Sequence, residues 1–190
     1  MKHRALFLDR DGTLIHPIPY PSHTKDLHLY ERIGSQLRTL QTMGFLLVVI
    51  TNQSGIARGY FSEIDLQCMH EHLMAELAIF GVQLTAIYYC PHHPEGVIPQ
   101  FAKHCTCRKP QPGMLLQASS DLNIDLRHSW FIGDTLSDIE AGNRAGCSTI
   151  LLNLDNEVAS VSAVRRPTFV VRSTLDALYL IQAFERLSSK

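Results

Sequence analysis

The sequence predicts a three-layer α/β fold built on a doubly wound, mostly parallel sheet, in a single domain spanning residues 1–190. Three observations carry this prediction. The stretch 45–50 (Phe-Leu-Leu-Val-Val-Ile) is apolar without interruption, as a strand buried on both faces of a parallel sheet requires. Short apolar runs alternate with segments of helical periodicity along the chain. Three of those runs end abruptly in polar groups, at Asp9, Thr51 and Asp134, and open α/β sheets bind ligands at the carboxyl ends of their strands. With 190 residues, 45% of them hydrophobic and 18% charged, the chain can bury the core of one such domain.

In chain order, Ala5-Leu6-Phe7-Leu8 reads as the first strand and delivers Asp9-Arg10-Asp11-Gly12-Thr13. Two acids two residues apart at a strand end can divide the work of nucleophilic attack and proton transfer. The stretch 15–30 carries Pro17, Pro19, Pro21 and three histidines; it is expected to be an irregular rim loop with solvated imidazoles. Ile33, Leu37, Leu40 and Met43 recur at helical spacing, and Gly44 ends that helix. The second strand, 45–50, leads into Thr51-Asn52-Gln53-Ser54-Gly55, a cluster of small donors suited to phosphate oxygens. Ser62 and Asp65 open a helix over 62–80 like a capping box. Its expected apolar stripe is Ile64, Met69, Leu73, Leu77 and Phe80, with Cys68 as a small buried residue.

Ala86-Ile87-Tyr88-Tyr89 is the third strand, and a long loop over 90–110 follows it. Loops of this length within a domain serve a function or carry a staple. Cys90-Pro91-His92-His93 opens the loop and Cys105-Thr106-Cys107 closes it. Soft and borderline ligands of this kind suit tetrahedral Zn²⁺. Spacing alone leaves the fourth ligand open, because His93 and His104 are also in reach. The five cysteines of the chain are odd in number and three gather near histidines, which favours a metal over disulfides. Arg108 and Lys109 follow Cys107 directly, so a metal clamp would fix two cations: a compact one for a phosphoryl group and a forked one for a second anion or sugar hydroxyls. A helix from about Pro112 to Leu122 comes next. Trp130 to Gly133 is the fourth strand and ends in Asp134, with Asp138 four residues on, either orienting the site or capping a helix. Residues 148–152 and 169–171 are the last strands. The intervening 153–168 is expected to be irregular, a helix over 173–187 to face the sheet through Leu175, Leu178, Ile181 and Leu187, and residues 188–190 to fray.

A net charge of −1 supplies no basic field for nucleic acid and no polybasic patch for a membrane. Met1-Lys2-His3-Arg4 runs straight into a strand, so no signal peptide is expected. A cytoplasmic monomer acting on a small phosphorylated molecule, with neither nucleic acid nor membrane as partner, is the expectation.

Asp9-x-Asp11-Gly12-Thr13, Thr51, Lys109 and Gly133-Asp134-x-x-x-Asp138 resemble, in order, the four motifs of the haloacid dehalogenase superfamily. The stretches 51–59, 89–94 and 105–110 are similar to its zinc-loop branch, which holds heptose bisphosphate phosphatases and, with a shorter loop, histidinol-phosphate phosphatases. The resemblance implies a sheet without a large cap domain and a Mg²⁺-dependent phosphomonoesterase. Asp9 would be the nucleophile, Asp11 the general acid and base, and Thr51 and Lys109 would bind the phosphoryl oxygens. Mg²⁺ would be held by the side chains of Asp9 and Asp134 and the backbone carbonyl of Asp11. Zn²⁺ would be held by Cys90, His92, Cys105 and Cys107. Asn52, Gln53, Ser54, Arg108 and Tyr20 would contact substrate. Two positions depart from the heptose-acting pattern: Thr135 stands where lysine is frequent, and the loop 16–21 keeps only Tyr20 in line. A histidinol-phosphate or other polyol-phosphate phosphatase, and a non-catalytic zinc-stapled binding module, are the rival readings.

Overall fold

The computed structural model describes residues 2–152 and 162–188. Six strands form one sheet: β1 (Arg4–Leu8), β2 (Phe45–Asn52), β3 (Ala86–Cys90), β4 (Trp130–Gly133), β5 (Ser148–Leu152) and β6 (Phe169–Val171). Their order is β3-β2-β1-β4-β5-β6 and each neighbouring pair runs parallel. The helices are α1 (Ile33–Thr42), α2 (Glu63–Ala78), α3 (Gly113–Asp121), α4 (Leu136–Ala145) and α5 (Thr174–Ser188).

Period-two alternation along the central strands divides the core into two clusters. Leu6 and Leu8 of β1, with Leu47 and Val49 of β2, pack with Leu37 and Leu40 of α1, Leu66 and Met69 of α2, and Leu178 and Ile181 of α5. Ala5 and Phe7, with Val48 and Ile50, pack on the other side with Met114, Leu115 and Ala118 of α3 and Ala141 of α4. Two helical layers thus sandwich the sheet, which explains the unbroken apolar run of β2.

The chain fills one side of β1 with β2 and β3, then crosses to the other with β4, β5 and β6. Ligands collect where such a sheet reverses its order, here between β1 and β4. Leu8 lies level with Val49 and Ile132. Asp9 therefore leaves the sheet level with Ile50 and Gly133, one residue short of Thr51 and Asp134.

The expected elements all form, with three additions, short 3₁₀ turns at Thr24–Asp26 inside the rim loop, at Leu126–His128 before β4 and at Ala163–Arg165 within the expected irregular segment. Four details differ. On α2 the buried apolar set is Leu66, Met69, Leu73 and Leu77, whereas Ile64 is exposed, because it sits two residues before Leu66, on the opposite side at 100° per residue. Cys68 is exposed for the same reason. Phe80 lies beyond the end of α2, half-exposed, with its ring covering Gly34. On α5 the buried apolar residues include Ala177, Leu178 and Ile181, and Leu187 is exposed. The part of the expected irregular segment at 153–161, and the end at 189–190, lie outside the described residues. No helix among the described residues is long and apolar enough to cross a membrane.

Candidate active site

Asp9 is the first residue past β1, its amide donating to the Ile132 carbonyl at 3.0 Å. This bond docks the turn onto β4. The Asp9 carboxylate is buried, and its Oδ1 accepts from the Arg10 amide at 2.7 Å and from Lys109 Nζ at 2.8 Å. Lys109 arrives from the loop after β3. Its Nζ also meets Asp138 Oδ1 at 2.6 Å and donates to the Ile50 carbonyl at 2.8 Å, with its side chain only 3% exposed. Asn52 secures that approach: its amide donates to the Lys109 carbonyl and its oxygen accepts from the Lys109 amide, at 3.2 and 3.1 Å. One cation thus ties the end of β1, the end of β2 and the start of α4 together. Burial alone would lower the Lys109 pKa, but Asp138 and Asp9 outweigh it and hold the ammonium charged well above its usual range.

Asp138 takes both roles that the sequence left open. Its Oδ2 accepts from the Thr135 amide at 3.0 Å and hydroxyl at 2.6 Å, capping α4, while Oδ1 pairs with Lys109. Gly133 makes this contact feasible, since a Cβ there would lie 2.3 Å from the Asp138 Cβ. Gly12 does the same for Asp134. Its φ is +78°, and a Cβ would lie 2.0 Å from Asp134 Oδ2, so both backbone conformation and space call for glycine.

Asp9, Asp134 and Asp138 have carboxylate oxygens within 4.8 Å of one another. Asp134 Oδ1 is buried without a hydrogen-bond partner. Burial, then repulsion from Asp138, pushes the Asp134 carboxyl up to about 6. Burial likewise raises Asp9, and the other acids add to it against the opposing pull of Lys109. A crowded set of oxygen donors with one orphaned atom fits a hard divalent cation such as Mg²⁺. The Asp11 carboxylate is not part of this cluster; it accepts from Arg10 Nη2 at 3.0 Å and from Gln53 Nε2 at 2.9 Å.

Thr51 is fully buried, and its Oγ1 accepts from Gln53 Nε2 at 2.8 Å, leaving its own proton to donate. Tyr20 lies on the rim, 4.6 Å from the Tyr60 ring between centroids. Arg108 Nη1 donates to the His92 carbonyl at 3.4 Å. Ser54 accepts through its carbonyl from the Arg58 amide, which shapes the turn after β2. A cavity of about 620 Å³ opens beside Gly12 and Asp134, walled by His16, Tyr30, Arg32 and Arg172 among others.

The second cluster lies in the loop after β3. Cys90, His92, Cys105 and Cys107 converge, with Sγ–Sγ separations of 3.1, 3.2 and 3.5 Å and His92 Nδ1 at 3.3 and 3.7 Å from Cys107 and Cys90. The edges of a tetrahedron with Zn–S about 2.3 Å and Zn–N about 2.0 Å run near about 3.8 Å between sulfurs and about 3.5 Å between sulfur and nitrogen. The donor set fits zinc, with the sulfurs somewhat closer together than in the ion-bound tetrahedron. His93 turns to Arg58, whose Nη2 lies 3.2 Å from its Nε2, and His104 stands outside the cluster.

Two features escaped the sequence. Arg10, between two acids, reads as a solvated turn residue, yet it is fully buried. The Asp138–Lys109 pair joins distant segments whose approach no local pattern announces.

A HAD-hydrolase-like family model matches residues 106–177. The D-glycero-beta-D-manno-heptose-1,7-bisphosphate 7-phosphatase of Haemophilus ducreyi is 43% identical over 93% of this chain and 97% of its own length. That of Escherichia coli K12 is 41% identical over 90% of each chain. The crystal structure of D,D-heptose 1,7-bisphosphate phosphatase from B. bronchiseptica, complexed with magnesium and phosphate, superposes with a TM-score of 0.81 at 26% identity, covering 95% of this chain and 98% of that one. The chain belongs to the HAD-like hydrolases, in the family of the D-glycero-beta-D-manno-heptose-1,7-bisphosphate 7-phosphatases.

Proposed function

We propose that this chain, acting as one phosphatase domain, is a Mg²⁺-dependent phosphomonoesterase that removes the 7-phosphate of D-glycero-D-manno-heptose 1,7-bisphosphate through an aspartyl-phosphate on Asp9. The observation that carries the reading is the placement of the buried Asp9 carboxylate against Lys109, at 2.8 Å, at the sheet's switch point, with Thr51 at the end of the neighbouring strand β2. Its identity to relatives of that name over nearly the whole chain supports the substrate.

In the first step an Asp9 oxygen attacks phosphorus and the bond from phosphorus to the sugar oxygen breaks. Asp11 gives its proton to the departing alkoxide. In the second step Asp11 takes a proton from water, the water oxygen attacks phosphorus, and the bond to Asp9 breaks, freeing inorganic phosphate and Asp9. Lys109 and Thr51 hold the phosphoryl oxygens throughout, and they are in place before reaction, so no reorganisation is required. Asp9, Asp134 and the Asp11 carbonyl would hold Mg²⁺, which would supply positive charge that lets an anionic nucleophile meet an anionic ester. Zn²⁺ would be held by Cys90, His92, Cys105 and Cys107 as a structural ion, and would tie both ends of the loop that presents Arg108 to the substrate and Lys109 to Asp9. Asn52, Ser54 and Tyr20 line the approach, with Arg108 facing the second phosphate.

The test is phosphate release with Mg²⁺ from the β-anomer of the heptose bisphosphate, its α-anomer and histidinol phosphate, measured side by side. The highest kcat/KM is expected for the β-anomer. A clear preference for histidinol phosphate would reassign the substrate, and no turnover of any would remove the enzymatic reading.

A further inference from the structure

Arg10 carries a full charge into the core, where the mechanism above gives it no task. Its side chain is 0% exposed. Nε donates to the two Asp11 oxygens at 3.2 and 3.3 Å, and Nη2 donates to Asp11 Oδ1 and to Gln53 Oε1, both at 3.0 Å. Gln53 closes the ring. It is 3% exposed, and its Nε2 donates to Asp11 Oδ2 at 2.9 Å and to Thr51 Oγ1 at 2.8 Å. Both amide protons of Gln53 are therefore committed inside the chain. Asp11 itself keeps 29% of its side chain exposed, so one edge of a carboxyl group clamped from behind faces the site.

Burying an arginine is costly, and here Nη1 is left without a hydrogen-bond partner, so stability is not what the residue supplies. An apolar residue at position 10 would fill the same space. What the network adds is orientation: a fork and an amide fix both oxygens of Asp11, and the same amide sets the oxygen of Thr51. A carboxyl group that must protonate a leaving oxygen and then deprotonate a water arriving along the same line gains from being held in one rotamer. We propose that Arg10 and Gln53 are positioning residues, which lock the Asp11 carboxyl on the line of the leaving oxygen and couple it to the phosphoryl-binding Thr51. This rests on the reading of Asp11 as the general acid and base.

The test separates steps that need Asp11 from the one that does not. Gln53→Leu removes the amide at similar volume, and Arg10→Lys keeps the charge but loses the fork. With the heptose bisphosphate, whose alkoxide needs a proton, kcat is expected to fall about 100-fold, within the range of general acid–base catalysis, while KM stays within about threefold. With 2,4-dinitrophenyl phosphate, whose phenolate leaves without a proton, rapid mixing is expected to show a first turnover near the wild-type rate. A slow steady state should follow, because hydrolysis of the Asp9 ester still needs Asp11. Unchanged kcat on the sugar phosphate in both variants overturns the proposal. So does a first turnover slowed as much as the sugar phosphate reaction, for then the residues support the whole site rather than Asp11. A wild-type protein inert toward both esters would instead remove the phosphatase reading itself.

Discussion

Replacing Lys109 by methionine keeps the apolar stem of the side chain and removes its charge from a place where nothing can substitute for it. The ammonium is within 2.8 Å of Asp9 and 2.6 Å of Asp138 and gives a hydrogen bond to the Ile50 carbonyl, from a side chain only 3% exposed. Removing one partner of a buried pair costs about 3–5 kcal/mol, because the other charge stays behind. Here two carboxylates stay behind, next to Asp134. They can relieve the strain only by taking up protons, so the cost depends on pH. A carboxyl whose folded pKa is raised is favoured by folding when protonated, below its unfolded pKa, and that advantage is lost as pH rises through the folded pKa. Lys109→Met should therefore be destabilised by about 3–5 kcal/mol at pH 8 and by clearly less at pH 5.5. Urea unfolding in EDTA at the two pH values measures this directly. Turnover at pH 8 should fall by about 10²–10³ or more, as for other preorganised charge donors. A variant as stable as wild type at pH 8, with no dependence on pH, would refute the idea that this lysine holds the acids together.

Other predictions follow from particular contacts. Cys107→Ser should abolish the binding of about one zinc per chain measured by elemental analysis, and lower the melting temperature by about 5 °C or more, since a structural zinc supplies folding free energy; wild-type protein without zinc would contradict this. His70 is buried, and burial followed by the Arg10 charge holds its pKa down at about 3. Because the fold favours the neutral imidazole, this contribution is present above the unfolded pKa near 6.5 and is lost as pH falls from there toward 3. At pH 5 the loss is about 2 kcal/mol, and His70→Leu should flatten the fall in stability between pH 7.5 and 5 by that amount. Gly12→Ala would force a Cβ at φ +78° into Asp134 Oδ2; it should cost about 1 kcal/mol or more and raise the Mg²⁺ concentration needed for half-maximal activity, read from a magnesium titration.

The sheet was legible because its central strands are buried on both faces and the chain marks their ends with residues that serve little purpose in a core. Asp9, Thr51 and Asp134 stand one residue apart in register because β1, β2 and β4 are neighbours, an arrangement that alternation of strands and helices implies but does not order. The helical faces were less legible. Ile64 and Leu66 are both apolar and two apart, and only the packing of α2 against the sheet decides which one is inside. Cys68 followed the wrong face for that reason. The Lys109 contacts were beyond reach, since adjacency to a metal loop says that the cation is fixed but not that it enters between Asp9 and Asp138. Arg10 was missed on sound grounds: an arginine between two acids is ordinarily solvated, and its burial depends on Gln53 being delivered by β2 to receive it.

The central claim is that Asp9 attacks the 7-phosphate of the sugar bisphosphate. Phosphorus NMR of D-glycero-β-D-manno-heptose 1,7-bisphosphate incubated with Mg²⁺ and protein tests it most directly. Wild-type protein should convert the 7-phosphate resonance to inorganic phosphate and leave the 1-phosphate in place, while Asp9→Asn leaves both unchanged. Loss of the 1-phosphate, or release by Asp9→Asn at the wild-type rate, would contradict the account.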